Sequence, residues 1–167
     1  MNCTTPITGS DNTQYMYFGN NGTTIGNVKG GTNSTSYIGG KWNTQQCLSK
    51  VTKQDQYICE GITNSPEIGY CAPACCCVAY STPGTKSGDW YLPMLGELYQ
   101  FYANKTAINR KRTAIKGSGF SESYYYWSSR EVSSTREYCV YLYNGFVANF
   151  FNKENGYCVL GFLALEY

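Results

Sequence analysis

The chain contains no histidine. Imidazole general-base catalysis and imidazole metal ligation are therefore excluded, and with them most hydrolase and zinc-enzyme chemistries. Long apolar runs are missing too: no stretch approaches the roughly 18 residues that a bilayer-spanning helix requires, so no membrane insertion is expected. The opening MNCTTPITGSDNTQYMYF shows neither a basic leader nor an apolar signal core, so no signal peptide is visible in it. A mature form, or export as part of a particle such as a virion, is compatible with that opening. Charge is sparse, with a net of +2, and the basic cluster NRKRTAIK (109–116) is a short run rather than a stripe. A solvated helix face accounts for it better than a nucleic-acid surface, so no nucleic-acid partner is expected.

What is present is aromatic and turn-rich. A chain of 167 residues can bury a hydrophobic core as one domain (1–167) without a metal or disulfide staple. Its 18 Gly, with many Asn, Ser and Thr, predict short strands and tight turns. Tyrosine dominates the aromatics, 17 against 7 Phe and 3 Trp. Tyrosine combines contact area with a hydrogen-bonding tip at low entropic cost, as recognition surfaces do, although a buried aromatic β-core would satisfy the same counts. The nine cysteines (Cys3, Cys47, Cys59, Cys71, Cys75, Cys76, Cys77, Cys139 and Cys158) are odd in number and include a triple run, a poor match to a disulfide framework. CAPACCC (71–77) has no paired CxxC and no second cluster at zinc-ribbon spacing. Small, buried, reduced thiols along a helix are expected there, with no metal and no cofactor.

Along the chain, QYMYFG (14–19) and SYIGG (36–40) read as short strands in a Gly, Asn and Thr background. At Ser65 a cap followed by Pro66 and Glu67 predicts a helix start, with Ile68, Cys71, Cys75 and Val78 at helical spacing and Pro73 able to shorten or kink it. A second helix follows Pro93, with Leu95, Leu98, Tyr99, Tyr102 and Ala103 on one face and Ile108, Ala114 and Ile115 on its continuation or on a further helix. From Phe120 onward the pattern changes to strands. Asn144-Gly145 between two alternating runs predicts a hairpin with a primed turn, and 153–156 marks another turn. Two helices ahead of a C-terminal antiparallel sheet make an α+β fold.

GDWYLPMLGELYQFYANKTAIN (88–109), then YYYWSSREVSS (124–134), then NGFV with NKENGYCV (144–159) resembles, in content and order, a large family of bacterial and phage proteins. That resemblance implies a C-type lectin-like fold of the formylglycine-generating-enzyme type. Its recognisable part is 85–165, and residues 1–40 would be N-terminal strands or an assembly arm. Among similar proteins are the variable proteins of diversity-generating retroelements, in which adenine-directed mutagenesis converts Asn-type codons into many others, but never into Glu, Lys, Met, Gln or Trp. Under that resemblance the reachable positions form the ligand-binding set: Arg130, Val132, Arg136, Cys139, Tyr141, Tyr143, Phe146, Ala148, Phe150, Phe151, Tyr157 and Cys158. They interleave with residues expected to be constant: Trp127, Glu131, Val140, Gly145, Val147, Lys153 and Val159.

Strand alternation adds a physical test of that list. Cys139, Tyr141 and Tyr143 share one parity, against Val140 and Leu142 on the other; Phe146, Ala148 and Phe150 share one, against Val147 and Asn149. A diverse outward face over a constant aliphatic one is expected if the segment binds a partner. If instead the aromatics are core, the same alternation buries them.

No catalytic role is expected. Cys139 and Cys158 are the thiols to consider as nucleophiles, because the formylglycine-generating relatives use cysteines. No histidine is present to activate them, however, and Arg136 lies at odd spacing from Cys139. Asp89 and Glu97 are expected to fix a turn and a helix start rather than to ligate calcium. The expected function is non-enzymatic binding of a protein or glycan receptor on a cell surface, by a virion or a bacterial surface protein. The alternative is a constant structural or adhesive subunit. Bulky apolar residues on an exposed face would also favour a homo-oligomer.

Overall fold

The computed structural model describes residues 7–8, 14–26, 39–51, 71–115 and 120–164. The expected strand at 36–40 falls mostly outside them, as do the expected helix start at Ser65, Cys3 and Cys59. In chain order the elements are β1 (Ile7–Thr8), β2 (Gln14–Tyr17), α1 (Gly40–Ser49), α2 (Ala72–Ala79), β3 (Trp90–Tyr91), α3 (Leu95–Ala114), β4 (Tyr125–Ser133), β5 (Arg136–Tyr141), β6 (Phe146–Asn152), β7 (Gly156–Tyr157) and β8 (Phe162–Leu163). The fold is α+β, and its paired strands are antiparallel, in the orders β1-β2-β7, β3-β8 and β4-β5-β6.

Three helices are described rather than the two expected. The unexpected one, α1, buries Gly40, Asn43, Thr44 and Cys47, a helical spacing hidden by polar side chains. Of these, Thr44 is spent on the backbone of the WYLP segment: its Oγ1 donates to the Leu92 carbonyl at 3.2 Å and accepts from the Leu92 N–H at 3.0 Å. In α2, Pro73 sits in the first turn, where a missing N–H costs nothing, and nearly every side chain is buried. Within this helix Cys76 departs from the expectation of reduced thiols, being disulfide-bonded. Cys47, Cys71, Cys75, Cys77, Cys139 and Cys158 are reduced and buried.

The long α3 is one helix. Glu97 fixes its start by accepting from the Met94 N–H at 2.7 Å and from the Tyr91 hydroxyl at 3.1 Å. The same carboxylate takes the Gly39 and Gly40 N–H groups at the start of α1. A Cβ on Gly40 would collide with Glu97, with the Leu92 carbonyl and with the Tyr91 ring, so glycine is required for that approach. Burial raises the Glu97 pKa, and the backbone N–H groups of Met94, Gly40 and Gly39 pull it back down. The inward face of α3 runs through Leu95, Leu98, Phe101, Tyr102 and Lys105; Tyr99, Ala103, Ala114 and Ile115, expected inside, are exposed.

The three-stranded sheet β4-β5-β6 divides the core. Tyr126, Tyr138, Val140 and Leu142 pack with Leu95 and Leu98 of α3 on one side. Trp127, Cys139 and Ala148 pack with Phe18, Cys47, Leu92 and the α2 residues on the other. The C-terminal segment joins the sheets, because Tyr157 pairs with Met16 while Cys158 bridges to Tyr126. Trp127 closes the junction by donating its indole N–H to the Met16 carbonyl at 2.7 Å.

A buried ion cluster holds the other end of the sheet. Lys153, fully buried, lies 2.7 Å from Glu131 and 3.9 Å from Glu137. Glu131 also accepts the N–H groups of Ile25 (2.9 Å) and Gly26 (3.0 Å), which ties the 20–26 loop to β4. Charges this dry persist only when paired and hydrogen-bonded, so the cluster fixes where the loop can sit.

Candidate functional site: an aromatic face on the hairpin

Side chains from three strands converge at the distal end of the sheet. The cross-strand row Tyr125, Tyr141, Phe146 lies next to the row Trp127, Cys139, Ala148 on the same face. Tyr125 and Tyr141 stack with ring centroids 4.7 Å apart and planes 22° from parallel. Phe151 meets the Tyr125 ring edge-on at 4.7 Å and Tyr157 at 4.4 Å, and Tyr157 in turn meets Trp127 at 4.9 Å. Outward, Tyr143 lies 6.0 Å from Tyr141, Phe150 lies 4.5 Å from Phe151, and Phe146 lies 6.4 Å from Phe150. A continuous chain of rings thus runs from the buried Phe18 and Trp127 to Tyr143, Phe150 and Phe146, which are 65%, 52% and 48% exposed.

A β-bulge decides which phenylalanine faces inward. Between the pairs Cys139↔Ala148 and Glu137↔Phe151, β5 advances two residues (139 to 137) while β6 advances three (148 to 151). The extra residue breaks the simple alternation that put Phe150 with Ala148. Phe151 takes that place and is half-buried against Tyr125 and Tyr157, while Phe150 stays outside.

The hairpin tip is pinned from below. Tyr141 pairs with Phe146 across a loop of four residues, 142–145, and the Gly145 N–H returns to the Tyr141 carbonyl at 2.8 Å. Gly145 has φ 76°, whereas Asn144 has no positive φ, so the primed two-residue turn expected from Asn-Gly does not form. Asn144 Oδ1 instead accepts from the Phe146 N–H at 3.0 Å. A Cβ on Gly145 would lie 2.5 Å from the Tyr102 ring, so the tip rests directly on α3. Lys105 fastens it, donating to the Leu142 and Tyr143 carbonyls at 2.7 and 2.9 Å and pairing with Glu122 at 2.8 Å.

The twelve sequence-derived site residues divide by burial. Val132, Arg136, Tyr143, Phe146 and Phe150 are exposed, and Tyr141, Phe151 and Tyr157 are half-buried. Arg130, Cys139, Ala148 and Cys158 are buried and do not belong to an accessible face. Cys139 and Ala148 lie in the Trp127 row under the Phe18 and α1 side of the core. Cys158 bridges β4, and the Arg130 guanidinium lies over the Tyr138 ring at 5.6 Å, at an irregularity where β4 departs from regular pairing. The alternation was real, but both faces are covered in the middle of the sheet, which leaves the aromatic distal end open and, at the opposite end, Val132 and Arg136 exposed beside the β4-β5 turn.

Tyr125, Tyr102 and Lys105 belong to the site and were not in the predicted set. Tyr125 stands two residues before Trp127 on the same strand face. Lys105 continues the helical series from Leu98 and Tyr102. Both spacings were readable, yet a lysine on an inward helix face carries no hydrophobic signal.

The chemistry of the thiols follows from burial. Cys139 is raised well above an ordinary thiol pKa by burial and by Glu137, Cys75 is pushed up to about 12 mainly by burial, and Cys77 is raised likewise. Such thiols stay protonated and poorly nucleophilic at neutral pH. Tyr157 is pushed up to about 12, first by burial and then by Cys139. Asp89 fixes its turn by accepting from the Lys86 N–H at 2.8 Å. Among the described residues, no group of three or more acidic or thiol side chains is placed to hold a metal ion, and no helix is long and apolar enough to cross a membrane. Comparison with protein-family models, with curated proteins and with solved structures gives no match for this chain.

Proposed function

We propose that the chain is a non-enzymatic binding protein on a C-type lectin-like scaffold, presenting the distal end of the β4-β5-β6 sheet to a protein or glycan receptor on a cell surface. The observation that carries this reading is the run of exposed rings Tyr143, Phe146 and Phe150 standing on a pinned hairpin. Large aromatic side chains held on a rigid frame are the groups that dominate binding energy at interfaces, because little entropy is lost when they are covered. Contiguous exposed apolar surface of this kind is unfavourable for an isolated soluble chain unless something covers it in use. The contact set in this reading is Tyr141, Tyr143, Phe146, Phe150 and Phe151, with Tyr157 behind them; Val132 and Arg136, at the β4-β5 turn, stand at the opposite end of the sheet and outside the set. A place on a virion or a bacterial surface is part of the proposal.

Diversification of this face by a retroelement is the sharper form of the reading. It rests on the order GDWYLP, YYYWSS and NGFV in the sequence, together with Asn-codon reachability. Sequencing the DNA around the gene tests it: a reverse transcriptase gene and a near-repeat of the hairpin segment differing only at adenines is expected. Without that repeat, diversification fails and binding alone survives.

Binding itself is tested with the triple variant Tyr143→Ser, Phe146→Ser, Phe150→Ser. Attachment to host cells, followed by labelled protein, should be lost while the melting temperature barely moves. Undiminished attachment would sink the assignment. One observation favours the second reading, a constant adhesive or structural subunit: Arg130, Cys139, Ala148 and Cys158 are core residues, and random replacement there would damage the fold.

A further inference from the structure

Away from the aromatic face, a cavity of about 300 Å³ opens between α2, β3, the last turn of α3 and the segment 159–161. Its walls are Cys77 and Tyr80 from the end of α2, Trp90 from β3, Arg112 from α3, and Leu160 with Gly161 from the segment leading to β8. Tyr80 and Trp90 meet at 5.0 Å with planes 82° apart, which makes an L-shaped aromatic corner. The Trp90 indole N–H donates to Thr85 Oγ1 at 3.1 Å, so this wall is held in orientation before any ligand arrives. Gly161 leaves the floor open: a Cβ there would only touch Cys77 Sγ at 3.5 Å and Trp90 at 3.7 Å.

We propose that this cavity binds a small organic carboxylate with a flat apolar body, its ring in the Tyr80–Trp90 corner and its carboxylate on Arg112. The size suits a ligand of about ten heavy atoms, at the lower end of ordinary small-molecule sites. The lining is mainly apolar, with one half-buried cation, the combination that selects an amphiphilic anion over a sugar or a polar metabolite. A guanidinium carries five donors in a planar fork, so Arg112 can hold a carboxylate alongside its other interactions. The C-terminal end of α3 by itself favours cations. Anion preference must therefore come from Arg112, which makes the proposal sharp. Binding there is reversible, since Cys76 is already disulfide-bonded and the Cys77 thiol stays protonated.

The test uses the full chain and two probes of one shape, phenylacetate and phenethyl alcohol, with N–H resonances followed by NMR. Phenylacetate should shift the Trp90 indole N–H saturably and bind at least about tenfold more tightly than the alcohol, the range a charge-assisted bidentate contact supplies. Arg112→Gln should abolish that preference while leaving alcohol binding in place. Gly161→Leu should block both probes; should that variant misfold, Tyr80→Ala, which removes one wall at the surface, should weaken both. Absence of a saturable Trp90 shift overturns the site. Equal binding of the two probes, or a preference that survives Arg112→Gln, overturns the carboxylate class.

Discussion

Lys105, on the inward face of α3, donates a 2.9 Å hydrogen bond to the main-chain carbonyl of Tyr143, the most exposed ring of the hairpin face. One amphipathic side chain thus links the helix to the part of the sheet that is open to partners. Its ammonium also reaches the Leu142 carbonyl and Glu122, and it lies 4.9 Å from the centre of the Tyr102 ring.

Lys105→Met keeps the apolar stem and removes the donors. Hydrogen bonds to charged groups contribute roughly 1.5–3 kcal/mol, so chemical denaturation should show a loss of about that size at most. Amide exchange at 143–146 should accelerate more than exchange in α3. Unchanged exchange at the tip would mean that Tyr102 and Gly145 alone hold it.

Phe150 and Phe151 are neighbours with opposite expected behaviour. Phe150→Ser touches an exposed ring and should change stability by no more than about 0.5 kcal/mol. Phe151→Ser removes a ring packed on Tyr125 and Tyr157 and should cost about 2–3 kcal/mol, below the range for a fully buried Phe. Thermal melts of the two single variants check this, and equal shifts would contradict the bulge.

Lys153→Met strands Glu131 and Glu137 together in the core. Breaking a buried pair from one side costs about 3–5 kcal/mol, and the 20–26 loop should lose protection from exchange at Ile25 and Gly26. The triple replacement Lys153→Met, Glu131→Gln, Glu137→Gln should recover part of that loss. A mild single-variant effect would mean that water reaches the cluster.

Alkaline pH should unfold the protein through groups whose pKa values folding raises. Cys75 goes from 9.0 to about 12 and Tyr157 from 10.0 to about 12. In each case the folded state holds its proton longer than the unfolded state. Their contribution is complete below about pH 9 and is lost as the pH climbs toward 12. Denaturant midpoints measured at intervals from neutral pH upward should fall across that window, and a flat profile would contradict the burial of these groups.

Much of this arrangement was legible beforehand. The Asn144-Gly145 hairpin, the helix after Pro93 and the strand around Trp127 all lie where local pattern puts them, because each follows from nearby spacing. Which parts of a strand face are covered does not. Cys139, Ala148 and Phe146 share one face of the sheet, and only the arrival of Phe18 and α1 over the first two separates them from the third. The bulge that exchanges Phe150 for Phe151 is likewise set by long-range pairing, not by composition. Helix α1 escaped notice because its inward residues, Asn43 and Thr44, are polar.

The Trp127 row is roofed by strands from near both ends of the described chain, since Met16 pairs with Tyr157 and Cys158 bridges to Tyr126. A nascent chain on the ribosome that has already released β4, β5 and β6 still lacks that roof, and local hairpin closure cannot supply it. Covering of that row therefore waits for β7 to be synthesised and brought back to β2, a high-contact-order step that makes the Trp127 side of the sheet one of the latest features to mature.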